Sequence, residues 1–292
     1  MFSLSKFALS MLSALSLSAV AADQAAAPLT LKVYNADANS FHVNSVLVSG
    51  KTEAVLIDSG FTRADALRIA ANVLDSGKTL KAIFVSNADP DYYFGVETLR
   101  TVFPQVPVYA TPAVRARIQA KMAGKLAFWG PKMGANAAHT PVLPDEFSGS
   151  SLTVDGQAIE VRGTSGLLAH RPYLWIPSLK AIVGNIGVFN GLHVWTADTQ
   201  TPAERQAWLA QLDEMQAQHP AVVVPGHMAA GSAQDATAIA YTRTQLQRFE
   251  AEAAKAGNSA ELIQAMQKAY PNAGMGMALD IGAKVIKGEM KW

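Results

Sequence analysis

Oxygen-donor side chains and one imidazole stand where short apolar runs of this sequence end. Ile83-Phe-Val-Ser86 leads into Asn87-Ala-Asp89-Pro-Asp91-Tyr92, Ala181-Ile-Val-Gly184 leads into Asn185, and Val222-Val-Val-Pro-Gly226 leads into His227. Amide and carboxylate oxygens suit a hard cation such as Ca²⁺, Mg²⁺ or Mn²⁺. The same side chains also hold loops in shape by accepting backbone N–H groups. Asp91, just ahead of an apolar helical stretch, is placed to cap it. His227 is either a ligand or a ring filling a pocket at a strand end. Asn190-Gly-Leu-His193-Val-Trp195 adds an imidazole and an indole, which by themselves read as a solvated loop residue and a core residue. The chain has no cysteine, so thiolate is absent from any site.

These positions need elements to hold them. Alternation of apolar and polar residues predicts strands over 29–34, 43–49 and 53–58, read as an antiparallel meander. Apolar residues at helical spacing (Ala66, Ile69, Ala70, Val73) predict a helix over 63–76, with Gly77 closing it. Then come a buried strand over 82–86, a helix over 92–102, a strand over 106–110 and a helix starting at Pro112. From 128 to 150 the pattern dissolves into Gly, Pro, Asn and Ala, which reads as a long connection; there Phe128, Trp129 and Met133 either line a cleft or pack the loop down. Asp155-Gly156 marks a hairpin over 151–161. Strands over 173–176, 181–183 and 221–224 and helices over 201–217, 233–254 and 259–270 complete the reading. Two strand-and-helix series imply two sheets packed together with helices outside.

Four segments, in this order, resemble the metallo-β-lactamase superfamily. Val55-Leu-Ile-Asp58-Ser-Gly60 is similar to the strand ending in Asp-x-Gly that supports the metal loop from behind. The segment from Ile83 to Gly95 is similar to the strand and loop bearing His-x-His-x-Asp-His. The segment from Trp175 to Asn185 resembles the hairpin that ends in Gly-Asp, and Val222 to His227 the last strand with its ligand His. The resemblance implies an αββα sandwich, with two mixed β-sheets flanked by helices. It also implies a hydrolytic zinc site whose bound water ionises near neutral pH. At the implied ligand positions this chain mostly differs. Asn87, Asp89 and Tyr92 stand where His belongs, and Asn185 replaces the bridging Asp. The third His is expected near Thr164 and Ser165, neither of them such a ligand. Asp91 and His227 keep the family residue, and Asp58 the supporting one. His170 follows a few residues on and could substitute if the loop has shifted, but the register back from Trp175 needs no gap and leaves it outside.

Half the residues are hydrophobic, 16% are charged, and the formal charge is +1. Lys6 is the sole charge of the first 22 residues, so residues 23–292 sum to zero. That balance gives no reason to expect nucleic acid or an anionic membrane as partner. Lys6, the apolar run over 7–19 and the small residues Ala19-Val20-Ala21-Ala22 read as a cleaved secretory signal, which implies a periplasmic or secreted protein. The run is short for a bilayer span, which needs about 20 apolar residues. The expectation is a signal over 1–22 and one domain over 23–292. Two functions are compatible with it. One is a non-catalytic or strongly altered superfamily member that keeps a small-molecule cleft, with no cofactor expected. The other is a hydrolase of lactam, ester or thioester type, working with an atypical ion or a single metal at Asp91 and His227. Asn87, Asp89, Tyr92, Thr164, Ser165, Asn185, His193 and Trp195 are the expected cleft residues.

Overall fold

In a computed structural model, which describes residues 27–292, the first half of the chain builds one sheet and the second half another. The predicted leader over 1–22 lies outside the described residues. Strands β1 (Thr30–Asn35), β2 (Asn44–Ser49) and β3 (Glu53–Ile57) form the predicted antiparallel meander. Helix α1 (Arg63–Ser76) crosses to β4 (Thr79–Phe84), parallel to β3. Thr62 and Asp65 close a reciprocal capping box at the start of α1, and Gly77 ends it with φ of 64°. The chain continues through α2 (Pro90–Tyr93) and α3 (Val96–Val102) to β5 (Val108–Ala110), then through α4 (Pro112–Met133) to β6 (Asp145–Glu146). These strands lie side by side in sequence order.

The second sheet begins with the hairpin of β7 (Ser151–Val154) and β8 (Gln157–Arg162). Its turn residues Asp155 and Gly156 both have positive φ, 46° and 77°, as the tight hairpin turn requires. Next come β9 (Tyr173–Ile176), β10 (Ala181–Val183) and a short β11 (Phe189–Asn190). Helix α5 (Pro202–Ala217) crosses to β12 (Val222–Val223), parallel to β10, and β13 (His227–Met228) pairs with β11. The sheet order is β12-β10-β9-β8-β7. Helices α6 (Thr237–Lys255), α7 (Ser259–Ala269) and α8 (Gly276–Ile286) follow.

Successive residues of a strand face opposite sides, and both sides are covered here. Val46, Val48, Val55, Ile57 and Phe84 meet Leu152, Val154, Ile159, Leu174 and Ile176 between the sheets. The intervening Leu47, Leu56 and Ile83 join Ile69, Leu99 and Val114 beneath the first helices, while Tyr173, Ile182 and Val223 share the same cluster as Trp208 and Leu212 of α5. Helix, sheet, sheet, helix is the αββα sandwich.

Three local expectations are corrected. The single helix over 92–102 is two helices, because the Tyr92 carbonyl accepts the Ser59 N–H at 2.9 Å and the Ser59 hydroxyl at 3.0 Å. Gly95, between the helices, passes so close to the Ser59 carbonyl that any Cβ would strike it. The connection predicted from 128 is helical to Met133, since Trp129 and Met133 pack on the core and a proline near a helix end removes only one intrahelical bond. Helix α8 went unpredicted because its two glycines, Gly276 and Gly282, weaken the helical signal, although Asp280 and Lys284 pair four residues apart on its polar side. Among the described residues, no helix is long and apolar enough to cross a membrane.

Candidate functional site

The ends of β3 and β4 are clamped by one carboxylate. Asp58 is buried, with φ of 62°, and its two oxygens accept the Ser86 backbone N–H and the Ser86 hydroxyl, each at 2.7 Å. Burial pushes its pKa up to about 7, against the opposing pull of those two donors. The clamp fixes where the chain leaves β4, and therefore where the loop over 87–91 begins.

On that loop Asp91 meets His227, whose Nε2 lies 3.5 Å from Asp91 Oδ2 with both side chains buried. The imidazole is held on three sides. Its Nδ1 lies 2.9 Å from the Phe41 carbonyl oxygen, Phe189 stacks on its face at 5.1 Å, and Tyr92 meets it edge-on at 5.6 Å. Nδ1 therefore carries the proton and donates it to Phe41, leaving the Nε2 lone pair toward Asp91. Burial lowers the His227 pKa to about 4, so the ring is neutral near pH 7. Burial, reinforced by the charge of Asp89, raises the Asp91 carboxyl well above the carboxylate range. The pair is thus a neutral imidazole facing a carboxyl group that favours its protonated form.

The other expected residues divide. Asn87 Oδ1 accepts the Asp89 N–H at 2.9 Å, which closes the loop on itself. Asp89 lies 3.6 Å from Lys125 Nζ. Tyr92 is fully buried and its hydroxyl donates to the Asn185 carbonyl at 3.1 Å, so it lies behind the cleft instead of lining it. Asn185 is likewise structural: its Nδ2 donates to the Val224 carbonyl at 3.0 Å and its Oδ1 accepts the Val188 N–H at 2.9 Å. Thr164 and Ser165 are exposed on the loop between β8 and β9 and line neither cavity of the site. His193 is buried away from the site, edge-on to Tyr270 at 6.5 Å. Only Asn87, Asp89 and Trp195 of the expected cleft set face a cavity.

This donor set does not fit a pair of zinc ions. Asp91 and His227 supply two groups, and among the described residues no cluster of three or more His, Asp or Glu is arranged to hold a metal. A hard cation fits no better, because it needs six or more oxygens and the amide oxygens of Asn87 and Asn185 are already bonded to backbone N–H groups.

A narrow cleft of about 40 Å³ opens above the Asp91–His227 pair. Its walls are apolar: Phe41, Trp129, Trp195, Met275 and Trp292, with Lys125 at one side. Phe41 and Met275 have φ of 57° and 61°, left-handed backbone that neither residue favours and that the surrounding packing imposes. Behind the cleft, across Asp89, Ile186 and Trp195, lies a smaller and more polar cavity of about 10 Å³, room for about one water, that also reaches Asn87, Arg117, His170, Arg171 and Asp198. His170, placed outside the site by the strand register, is in fact the imidazole on this loop that borders it. Burial, with Arg117 and Arg171, lowers its pKa to about 4. Arg117, Lys125, Arg171, Asp198 and Trp292 carried no motif and were missed. The one available sign was Arg171 itself, a charge set two residues before the buried strand β9.

Crystal structures with the same layers include a metallo-β-lactamase family protein of Thermus thermophilus, 16% identical, with a TM-score of 0.61 over 89% of this chain and 91% of that one. A β-lactamase domain protein of Burkholderia ambifaria is 14% identical, with a TM-score of 0.59 over 90% and 86%. A metallo-β-lactamase of Pontibacter korlensis is 18% identical, with a TM-score of 0.50 over 77% and 97%. At such identities they speak for the fold alone. A comparison with curated protein sequences returned no match. The sequence profile of the metallo-β-lactamase superfamily matches residues 38–227, from the turn after β1 to the histidine of the site. With the sandwich and that match covering well over half its length, the chain belongs to the metallo-β-lactamase superfamily.

Proposed function

We propose that this protein is an exported superfamily member in which the zinc pair has given way to a hydrogen-bonded frame, leaving an apolar cleft that binds a small molecule without hydrolysing it. The observation that carries the reading is Asn185. At the position of the bridging ligand, both ends of its amide bind the backbone, to Val224 and Val188, so the side chain is committed to the frame. Tyr92 supports the same reading by anchoring its hydroxyl on the Asn185 carbonyl. Export is inferred from Lys6 and the apolar run that follows it.

Protein purified without chelators is expected to hold far less than one zinc per chain. Hydrolysis of a β-lactam reporter and of ester or lactone substrates is expected at background. Elemental analysis and turnover assays check both. Stoichiometric metal with EDTA-sensitive turnover would refute the reading.

That refuting result would favour the second reading, a hydrolase with one ion. Its support is the Asp91–His227 pair at 3.5 Å, with the Nε2 lone pair turned toward Asp91 at the floor of the cleft.

A further inference from the structure

The cleft above Asp91 and His227 is nearly full as it stands. Its 40 Å³ holds about three waters, so no ring or chain of a small molecule fits until a wall moves. Open space lies directly beyond one wall, in a groove of about 490 Å³ between α4 and the residues after α8. Ala120, Gly124 and Phe128 line it from α4, with Met290 and Lys291 on the other side. At Gly124 the floor is bare, since even a Cβ there would meet nothing within 4 Å. Trp292 and Lys125 line both spaces, so they form the partition between cleft and groove.

The aromatic walls differ in how they are held. Trp195 is 8% exposed, and its indole N–H donates to Asp198 at 2.7 Å. Trp129 lies edge-on to Phe41 at 5.2 Å and to Phe61 at 5.6 Å. Trp292 has no such tie. Its indole N–H finds no acceptor among the described residues, and its carbonyl oxygen takes one long bond, from Gln200 Nε2 at 3.5 Å. The last backbone N–H bonds before it are those of Glu289 and Met290, both to the Lys284 carbonyl. Moving the indole therefore breaks ring contacts and no hydrogen bond of its own.

Those ring contacts describe what else would fit in its place. Lys125 Nζ stands over the face of the Trp292 ring, 4.6 Å from its centroid, and is steadied by Asp89 at 3.6 Å. Trp195 meets the same ring edge-on at 5.2 Å, and Phe128 does so at 6.3 Å. Aromatic edges and an ammonium over a π face favour a flat, electron-rich ring. An aliphatic body of the same volume would forgo the ammonium contact.

We propose that the Trp292 indole is an internal stand-in for the ligand: a free aromatic molecule binds by displacing it into the groove and taking over its contacts with Lys125 and Trp195. This deepens the cleft reading above, on which it rests. It names the ligand class as a small electron-rich aromatic of about indole size, and it makes Trp292 an autoinhibitory contact. A ligand that competes with Trp292 shows its intrinsic affinity reduced by the fraction of molecules in which the indole is out.

Calorimetry with indole and with cyclohexanol, on the parent, Trp292→Ala and Trp292→Phe, tests this, with circular dichroism checking the fold. Trp292→Ala is expected to bind indole at least about tenfold more tightly than the parent, with Trp292→Phe between them. Cyclohexanol is expected to bind the Ala variant more weakly than indole does. In the ¹⁵N-labelled parent, the Trp292 indole N–H resonance is expected to move to the position of a solvent-exposed tryptophan as indole is added. That measurement needs no substitution and decides the matter if Trp292→Ala does not fold.

A folded Ala variant that binds indole no more tightly than the parent would overturn the displacement while leaving the cleft as a ligand site. So would a Trp292 resonance that stays in place at saturating indole. Cyclohexanol binding the Ala variant as tightly as indole would overturn the aromatic class and again leave the cleft. A folded Ala variant that binds neither probe would overturn this proposal and the cleft reading together.

Discussion

Asn185 and Asp58 show how a side chain at a ligand or support position can become framework. Asn185 is 1% exposed, and its amide makes one donated and one accepted bond that a carboxylate cannot both make. Asn185→Asp would set an anionic oxygen against the Val224 carbonyl. It is expected to cost about 3 kcal/mol of stability, measured by urea unfolding, and to gain no zinc affinity. A neutral effect accompanied by zinc binding would count against the proposed function. For Asp58 the folded pKa of about 7 lies above the ordinary 3.8, so the folded protein binds more protons than the unfolded chain between those values. Its contribution to stability is therefore full below about pH 4 and falls as pH rises to about 7, by on the order of 4 kcal/mol. An asparagine at this position would reproduce the protonated acid, accepting the Ser86 N–H and donating to the Ser86 hydroxyl, and asparagine tolerates left-handed backbone better than most residues. Asp58→Asn is expected to fold and to flatten that part of the stability profile in urea titrations run from pH 4 to 7.

At the scale of elements, the cleft depends on the pieces that follow the second sheet. Helix α8 presses Gly282 against Thr196, one residue from Trp195, and the segment before it contributes Met275. Trp195 in turn donates its indole N–H to Asp198 at 2.7 Å and meets Trp292 edge-on at 5.2 Å. A side chain at position 282 would have to displace Thr196. Gly282→Val is expected to destabilise the protein by about 1–3 kcal/mol and to change the Trp195 environment, read by unfolding curves and tryptophan emission. Unchanged emission with unchanged stability would mean that α8 does not set the cleft wall. The division between α2 and α3 belongs to the same scale. The helix break lets the Tyr92 carbonyl bind Ser59 of the strand end, and so ties the loop over 87–91 to the first sheet.

For the molecule as a whole, the two sheets are joined by an interior built from alternate residues of both, and the site lies where strand ends from each sheet meet. Asp91 comes from α2, just after the loop that leaves β4, and His227 from β13 of the short β11–β13 pair, while Asn44 of β2 donates to the Pro225 carbonyl at 2.8 Å and steadies the second of these against the first sheet. The proposed leader over 1–22 precedes this body in sequence. Expressed in a Gram-negative host, the protein is expected to begin at Ala22 or Asp23, and intact-mass measurement of the soluble fraction checks it. A full-length, membrane-bound species would overturn the export proposal.

The alternation of apolar residues in β1 to β3, the span 63–76 of α1 with Gly77 closing it and the Asp155-Gly156 turn were legible in the sequence because each is decided by neighbours within a few residues. The order of the four family segments carried the sandwich for the same reason: each is a strand end with its own local signature. What the residues at the site do was decided by tertiary structure. Nothing near Asn185 in sequence shows that its amide bridges Val224 and Val188, nothing near Tyr92 shows its hydroxyl on the Asn185 carbonyl, and Thr164 and Ser165 turn out to face solvent. Arg171 is the strongest case. A single Arg before an apolar strand has no periodicity to betray it, and only the packing of Trp208, Ile186 and the inner cavity around it shows a charge buried with donors to spare. Local pattern fixes elements because backbone hydrogen bonding and burial repeat along the chain. A site is made of contacts between residues far apart in sequence, and those exist only once the sheets have closed on each other.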